Sequence, residues 1–256
     1  MADDNVAGNE LNDRGTAAAE DSTPAGRDRR AERILDAAGE LLVAWGYKRV
    51  TIDDVARRAG VGKGTVYLHF HTKEALFLTV LMRSQAALGA AFVRSTREDP
   101  TALLPSRLAE RSLRSMTDDP IFRAVMVADT DTLGTLARSA PKLVGDLIEF
   151  REHTVTEYFH VLRQHGIVRT DLSAASQRHA YFAVVTGFLT FDRLRSGASG
   201  FPDIDSKADA LVRTVTAAFE ADTRPEVLRA AAPRVIDLFQ RLVDRVREEI
   251  DRQKLT

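Results

Sequence analysis

The stretch from Thr51 to Leu76, TIDDVARRAGVGKGTVYLHFHTKEAL, constrains the fold more than any other part of the chain. Thr51 is placed to cap a helix, with Asp54 three residues on as the reciprocal partner of a capping box. Ile52, Val55, Ala56 and Ala59 follow at helical spacing and give that helix one apolar side. Gly60 stands where the chain must turn left-handed, which glycine does without a Cβ penalty. Val61 then plugs the angle between two helices. A second short helix is predicted from Gly62 or Lys63 to about His69. Val66 and Phe70, four apart, face inward together and leave Lys63, Gly64, Thr65, Tyr67 and His69 on or near the outer side. That side is too polar for a simple core element. Two helices at a steep angle, joined by a short glycine-containing turn, form a helix-turn-helix. In that motif the second helix enters the major groove of DNA and its N-terminal residues approach base edges. An ordinary αα-hairpin in a bundle is the other arrangement that the spacing allows.

A nucleotide-binding loop does not fit the same residues. The run GVGKGT at 60–65 superficially suggests one, but a phosphate loop requires G-x-x-x-x-G-K-[ST] after a strand. Arg57 stands where the first glycine belongs, Gly64 where Ser or Thr is needed, and a helix precedes.

Three segments in succession carry a family resemblance. They are ILDAAGELLVAWGY, TIDDVARRAGVGKGTVYLHF and KEALF. Together, from about Arg33 to Met82, they resemble the DNA-binding domain of TetR-family transcriptional regulators. Beyond about residue 85 the likeness is one of general helical character and length only.

Charge is distributed in step with that reading. Residues 1–26 carry six acids and one base, residues 27–83 eleven bases and seven acids, and residues 84–256 balance at 24 of each. The basic excess therefore falls on the segment that holds the groove-binding helix, as an electrostatic footprint on DNA requires. Residues 1–26, rich in Ala, Gly, Asp, Asn and Thr, read as a disordered acidic tail. Arg27, Arg29 and Arg30 just precede the first helix and either reach phosphates or face solvent. Cysteine is absent, which excludes disulfides and thiolate metal sites and suits a reducing cytoplasm. There is no signal-peptide pattern at the N-terminus. The longest strongly apolar run, Ala180 to Phe191, is too short to span a bilayer.

The rest reads as helices between breakers, so the class is all-α: an N-terminal helix-turn-helix three-helix domain and a larger C-terminal helical ligand-binding and dimerisation domain. The division expected is tail 1–26, DNA-binding domain 27–83 and ligand-binding domain 84–256. The first helix is expected from about Arg29 to Trp45, with Gly46 ending it and Thr72 capping the fourth. Asp99-Pro100, Asp118-Asp119-Pro120, Pro141, Gly166, Ser173 and the 196–200 loop mark later boundaries. Thr223 and Glu226 suggest a capping box, and Pro233 a break before a final amphipathic helix. The helix at 180–191 is apolar nearly all round, so it is expected to be covered on all sides.

The resemblance implies what these parts do. Lys63, Gly64 and Thr65 match positions near base edges, Thr51, Tyr67 and Lys73 match phosphate-contacting positions, and His69 lies on the same helix. The helices near 180–191 and 206–221 resemble the pair that builds a homodimer, which would bind a palindromic operator on double-stranded DNA. The core domain would enclose an unknown small-molecule effector, with Phe122, Met126, Phe150, Tyr158, Tyr181 and Phe188 as candidate walls. Val125 and Phe191, with Arg151 and several histidines for polar contacts, extend that set. No catalytic residues, metal site, cofactor or membrane partner are expected. The function implied is a ligand-responsive repressor released from its operator by a small molecule. An activator on the same fold, or a ligand-independent or architectural DNA-binding protein, is the alternative. For the segment 224–256 a cover for the pocket, a cover for the dimer interface and a further contact all remain open.

Overall fold

The computed structural model describes residues 23–127, 129–136, 144–194 and 202–254. Among these residues the chain forms eleven α-helices and a 3-10 turn, with no strand beyond two isolated backbone bridges. The helices are α1 (Pro24–Trp45), α2 (Ile52–Ala59), α3 (Lys63–His69), α4 (Lys73–Glu98), α5 (Pro105–Asp118), α6 (Pro120–Met126), α7 (Thr130–Leu133), α8 (Gly145–Gln164), α9 (Ala174–Leu194), α10 (Ile204–Phe219) and α11 (Pro225–Gln253). The all-α class read from the sequence is the one formed. The expected start at Pro141 and the 196–200 loop lie outside the described residues.

Local chemistry accounts for the helix ends near the N-terminus. α1 starts about five residues earlier than expected, because Thr23 Oγ1 accepts from the Gly26 amide at 3.1 Å and caps it. Arg27, Arg29 and Arg30 therefore belong to the helix and do not precede it. Gly46 ends α1 at a φ of +74°, and a Cβ there would meet the Asp131 carbonyl oxygen at 2.5 Å. The capping box of α2 forms in full. Thr51 Oγ1 accepts from the Asp54 amide at 3.2 Å, and Asp54 Oδ2 accepts from the Thr51 amide at 3.0 Å. At its other end Gly60 takes a left-handed φ of +67°. The Gly60 amide then bonds the Arg57 carbonyl and the Val61 amide the Ala56 carbonyl, the paired bonds of a Schellman motif.

Two differences concern α11. Pro233 lies inside that helix and does not break it. The proline is exposed, so water can satisfy the carbonyl that loses its partner. Thr223 does not cap, since its hydroxyl donates to the Ala221 carbonyl and the helix opens on Arg224 and Pro225.

The helices enclose two apolar cores that share α4. The first joins Ile34, Leu42, Val55, Val66 and Phe77 from α1–α4 to Leu133 and Leu147, and to Val246 and Ile250 near the end of α11. The second joins Phe92 and Val93 from the far half of α4 to α5, α8, α9, α10 and the first half of α11. Phe92, Tyr158 and Phe239 pack ring to ring in it, with centroids 4.3–6.5 Å apart. Full burial stabilises each such side chain by about 1.5–3 kcal/mol. This double duty explains the apolarity of α4. By length and composition alone it could cross a membrane, but 56% of its most apolar window is buried between the cores. α9 is not covered all round within the protomer: Phe182 is 42% and Phe191 50% exposed.

Candidate nucleic-acid interface and interior cavity

α3 presents a small, mostly uncapped surface. It begins at Gly62 with no side-chain cap. Lys63, Gly64, Tyr67 and Leu68 are exposed, and Thr65 is half-exposed. Gly64 and Leu68 stand four apart, so they share the outermost line of the helix. A Cβ built on Gly64 meets no protein atom within 4 Å. Leu68, 67% exposed, was not singled out in the sequence, although it is two residues from inward-facing Val66 and hence on the opposite side.

His69 requires a correction. It is 5% exposed and faces inward, because it lies three residues after Val66 and shares that residue's side. Its pKa is lowered by burial first, then by the charges of Arg30, Arg27 and Lys254. It has no place on the outer face of α3.

Three of the remaining polar candidates, Lys63, Thr51 and Lys73, have partners within the chain. Lys63 Nζ sits 2.8 Å from Asp53 Oδ2, and that hydrogen bond is the main cause of its raised pKa. The Thr51 hydroxyl donates to Asp54 Oδ2 at 2.6 Å. Lys73 Nζ donates to the Tyr47 carbonyl at 2.7 Å and lies 4.2 Å from the centre of the Tyr47 ring. Burial lowers the Lys73 pKa. The Tyr47 hydroxyl in turn donates to Glu74 at 2.8 Å. These bonds pin the loop after α1 to the start of α4. Lys48 and Arg49 are exposed in that loop, between Tyr47, whose carbonyl Lys73 holds, and the Val50–Thr51 step into α2. The consecutive basic pair ahead of an N-cap was the sequence signal for them.

Inside the chain, a cavity of about 400 Å³ lies where α4, α5, α6, α8 and α11 converge. Phe122 and Met126 line it, as do Val125 and Arg151. Phe150, Tyr158, Tyr181 and Phe188 do not line it. Tyr158 and Tyr181 are core residues whose hydroxyls donate to the Leu103 and Pro105 carbonyls at 2.8 and 3.1 Å. Burial raises both phenol pKa values. Phe188 packs against the second core, and Phe150 is half-exposed. Most of the walls that the sequence did not suggest come from α4, including Gln85, Ala86 and Gly89, and from α11, which adds Phe239, Leu242, Val243 and Val246; α5 and α8 add others, Ser112 and Leu147 among them. Of the roles left open for the last segment, covering the cavity is the one α11 takes within this chain. Among the described residues no group of three or more His, Asp or Glu is placed to hold a metal.

Comparison with known proteins agrees with this geometry. The family model described as bacterial regulatory proteins, tetR family, matches residues 34–80. The transcriptional regulator SrpR of Pseudomonas putida is 41% identical over 70 residues, 27% of this chain and 33% of its own length. The chain thus spans about a third of that relative. The transcriptional repressor BepR of Brucella suis is 24% identical over 196 residues, 74% of this chain and 91% of the relative. The structure of NalD, a secondary repressor of a multidrug efflux pump in Pseudomonas aeruginosa, superposes with a TM-score of 0.52 at 22% identity. That likeness covers 77% of this chain and 99% of NalD, and shows a shared fold.

Proposed function

We propose, from the premise that this chain belongs to the TetR family of bacterial regulatory proteins, that it is a homodimeric transcriptional repressor released from its operator by a small molecule. One observation carries the reading. α4 begins at Lys73, beside the helix-turn-helix, and its Leu78–Phe92 stretch lines the cavity. A ligand that shifts this helix therefore acts on both places.

In this reading residues 27–83 bind DNA and residues 84–256 bind ligand and dimerise. Two copies of α3 enter successive major grooves, about 34–36 Å apart along the duplex. Lys63, Gly64, Thr65 and Leu68 face base edges, with the Leu68 side chain suited to a thymine methyl. Lys63 exchanges Asp53 for the duplex. Lys48, Arg49, Lys73, Tyr67 and Thr51 contact phosphates and set the register, while the base contacts select the sequence. The exposed apolar side of α9, with Phe182 and Phe191, packs on a second copy together with α10, giving a C2 interface. Ligand favours a conformer whose two α3 helices no longer match the groove spacing. Linkage requires DNA to weaken ligand binding by the same factor. The site of action is the cytoplasm, where the DNA is.

Footprinting of the purified full chain on genomic DNA tests the reading. A protected palindrome with two half-sites about one helical turn apart is expected. Protection without symmetry, or none at any site, refutes it.

A further inference from the structure

We propose that the cavity takes an amphipathic monoanion, an apolar body of about a dozen carbon atoms ending in a carboxylate, and that Arg151 binds the carboxylate at the cavity rim. The inference rests on the reading of this cavity as the effector site.

Size sets the first limit. A water-sized group occupies about 30 Å³, so a cavity of about 400 Å³ holds about a dozen such groups, near the lower end of small-molecule sites. The walls set the second. Apart from Gln85, Ser112 and Arg151, every lining residue is apolar, and no acidic residue lines the cavity among those described. A ligand must therefore be apolar over most of its surface.

The three polar residues then decide the sign of the head group. The Arg151 side chain is 40% exposed while also lining the cavity, which places it at the rim between interior and solvent. Among the described residues its ion-pair partner is Glu152 at 3.8 Å, too long for a hydrogen bond, and that carboxylate is itself 61% exposed. The guanidinium thus keeps donors to spare, in the planar fork that matches a carboxylate. Gln85, half-buried, makes no side-chain hydrogen bond with any described residue. Its amide adds further donors on α4. The Ser112 hydroxyl has already given its proton to the Leu108 carbonyl at 2.9 Å, so it offers only a lone pair. A neutral alcohol leaves the arginine without a counter-charge, and a cation is repelled by it.

Calorimetry on the full chain with decanoate, 1-decanol and decylammonium tests the proposal, each probe below its aggregation limit. Decanoate should bind at least about tenfold more tightly than either of the others. Arg151→Gln should remove that preference, and Arg151→Lys should restore part of it. The residue is partly exposed, and unchanged thermal unfolding of Arg151→Gln confirms that the fold is retained. Equal affinities for the three probes, binding of none, or a preference that survives Arg151→Gln would each overturn the assignment. Operator binding is measured in parallel. Arg151-dependent binding of decanoate that leaves DNA affinity unchanged upholds the ligand class and removes the regulatory reading. DNA release by a probe that ignores Arg151 does the reverse.

Discussion

Adding one methyl group at Gly64 should move stability and DNA binding in opposite directions. A Cβ there meets nothing within 4 Å, and no positive φ marks the position. Alanine in a helix is favoured over glycine by about 0.5–1 kcal/mol. Gly64 is the second residue of a seven-residue helix, so the lower end applies. For a chain of this size that raises Tm by about 1–2 °C. If the backbone at Gly64 lies against base edges, the same methyl collides with the duplex or forces α3 outward. The loss should match one good base contact, about 1–3 kcal/mol per half-site, or about fivefold to 150-fold for each protomer. Phosphate contacts are untouched, so the salt slope should not change. Fluorescence anisotropy on the footprinted operator across a salt series, beside thermal unfolding of Gly64→Ala, reads all three quantities. Gly60→Ala is the internal control. Its Cβ is equally free of neighbours, but its φ is +67°, and a left-handed alanine costs about 1–2 kcal/mol. A Gly64→Ala protein that is more stable and binds the operator as tightly as before would refute the close approach of α3 to bases.

Three further outcomes follow from the same geometry. Lys73→Ala should weaken binding to every duplex alike and lower the salt slope by about one per half-site; an unchanged slope removes Lys73 from the phosphate contacts. Phe182→Asp should leave protomer folding intact, since the ring is 42% exposed, but convert the dimer to monomer in light scattering and lose operator binding; a dimer that persists places the interface elsewhere. His69 is held below its ordinary value of 6.5 by burial and neighbouring cations, with Asp28 opposing. As pH falls through 6.5 the unfolded chain takes up a proton before the folded one, so stability declines from there until the folded value is passed. His69→Leu should abolish that part of the acid loss in Tm measured at pH 7.5 and 5.5, and equal losses in both proteins would show that His69 does not titrate in this way.

How far the sequence could be read depended on the range of the forces involved. The helix-turn-helix was legible because its determinants are local: a Thr51–Asp54 box, a left-handed Gly60, and Val66 and Phe70 at one spacing. His69 was misplaced on the outer side because polarity was given more weight than register, and its three-residue step from Val66 pointed inward. The cavity was mostly illegible for a different reason. Aromatic side chains were the natural candidates for its walls, but Tyr158 and Tyr181 fill space and donate to the Leu103 and Pro105 carbonyls. The cavity is lined where α4 carries the small residues Ala86 and Gly89 instead. At Gly89 a Cβ would already come within 2.8 Å of Val243 on α11. That contact spans 154 positions of sequence, and no local pattern announces it. Pro233 misled in the same way, since its tolerance depends on facing water.

The position of α11 gives the cavity a second line to the helix-turn-helix end. Phe239, Leu242, Val243 and Val246 form one wall, and Val246 with Ile250 also closes the first core. Beyond the helix, Lys254 bridges the backbone of Phe70, the residue that ends α3, and its Nζ meets Glu32 of α1 at 2.9 Å. Glu32 also pairs with Arg83 of α4 at 3.0 Å. From Phe239 to Gln253 the helix runs about 21 Å at 1.5 Å per residue. α4 and α11 therefore lie side by side, joined through Glu32 at one end, in close contact at Gly89 and Val243, and both lining the cavity. Closely packed helices change arrangement in discrete steps and do not stretch. On the function proposed above, a ligand that spreads the pair at Gly89 and Val243 would tilt α4 and α11 about their common anchor, and α3 adjoins both, through Lys73 on one side and Phe70 on the other.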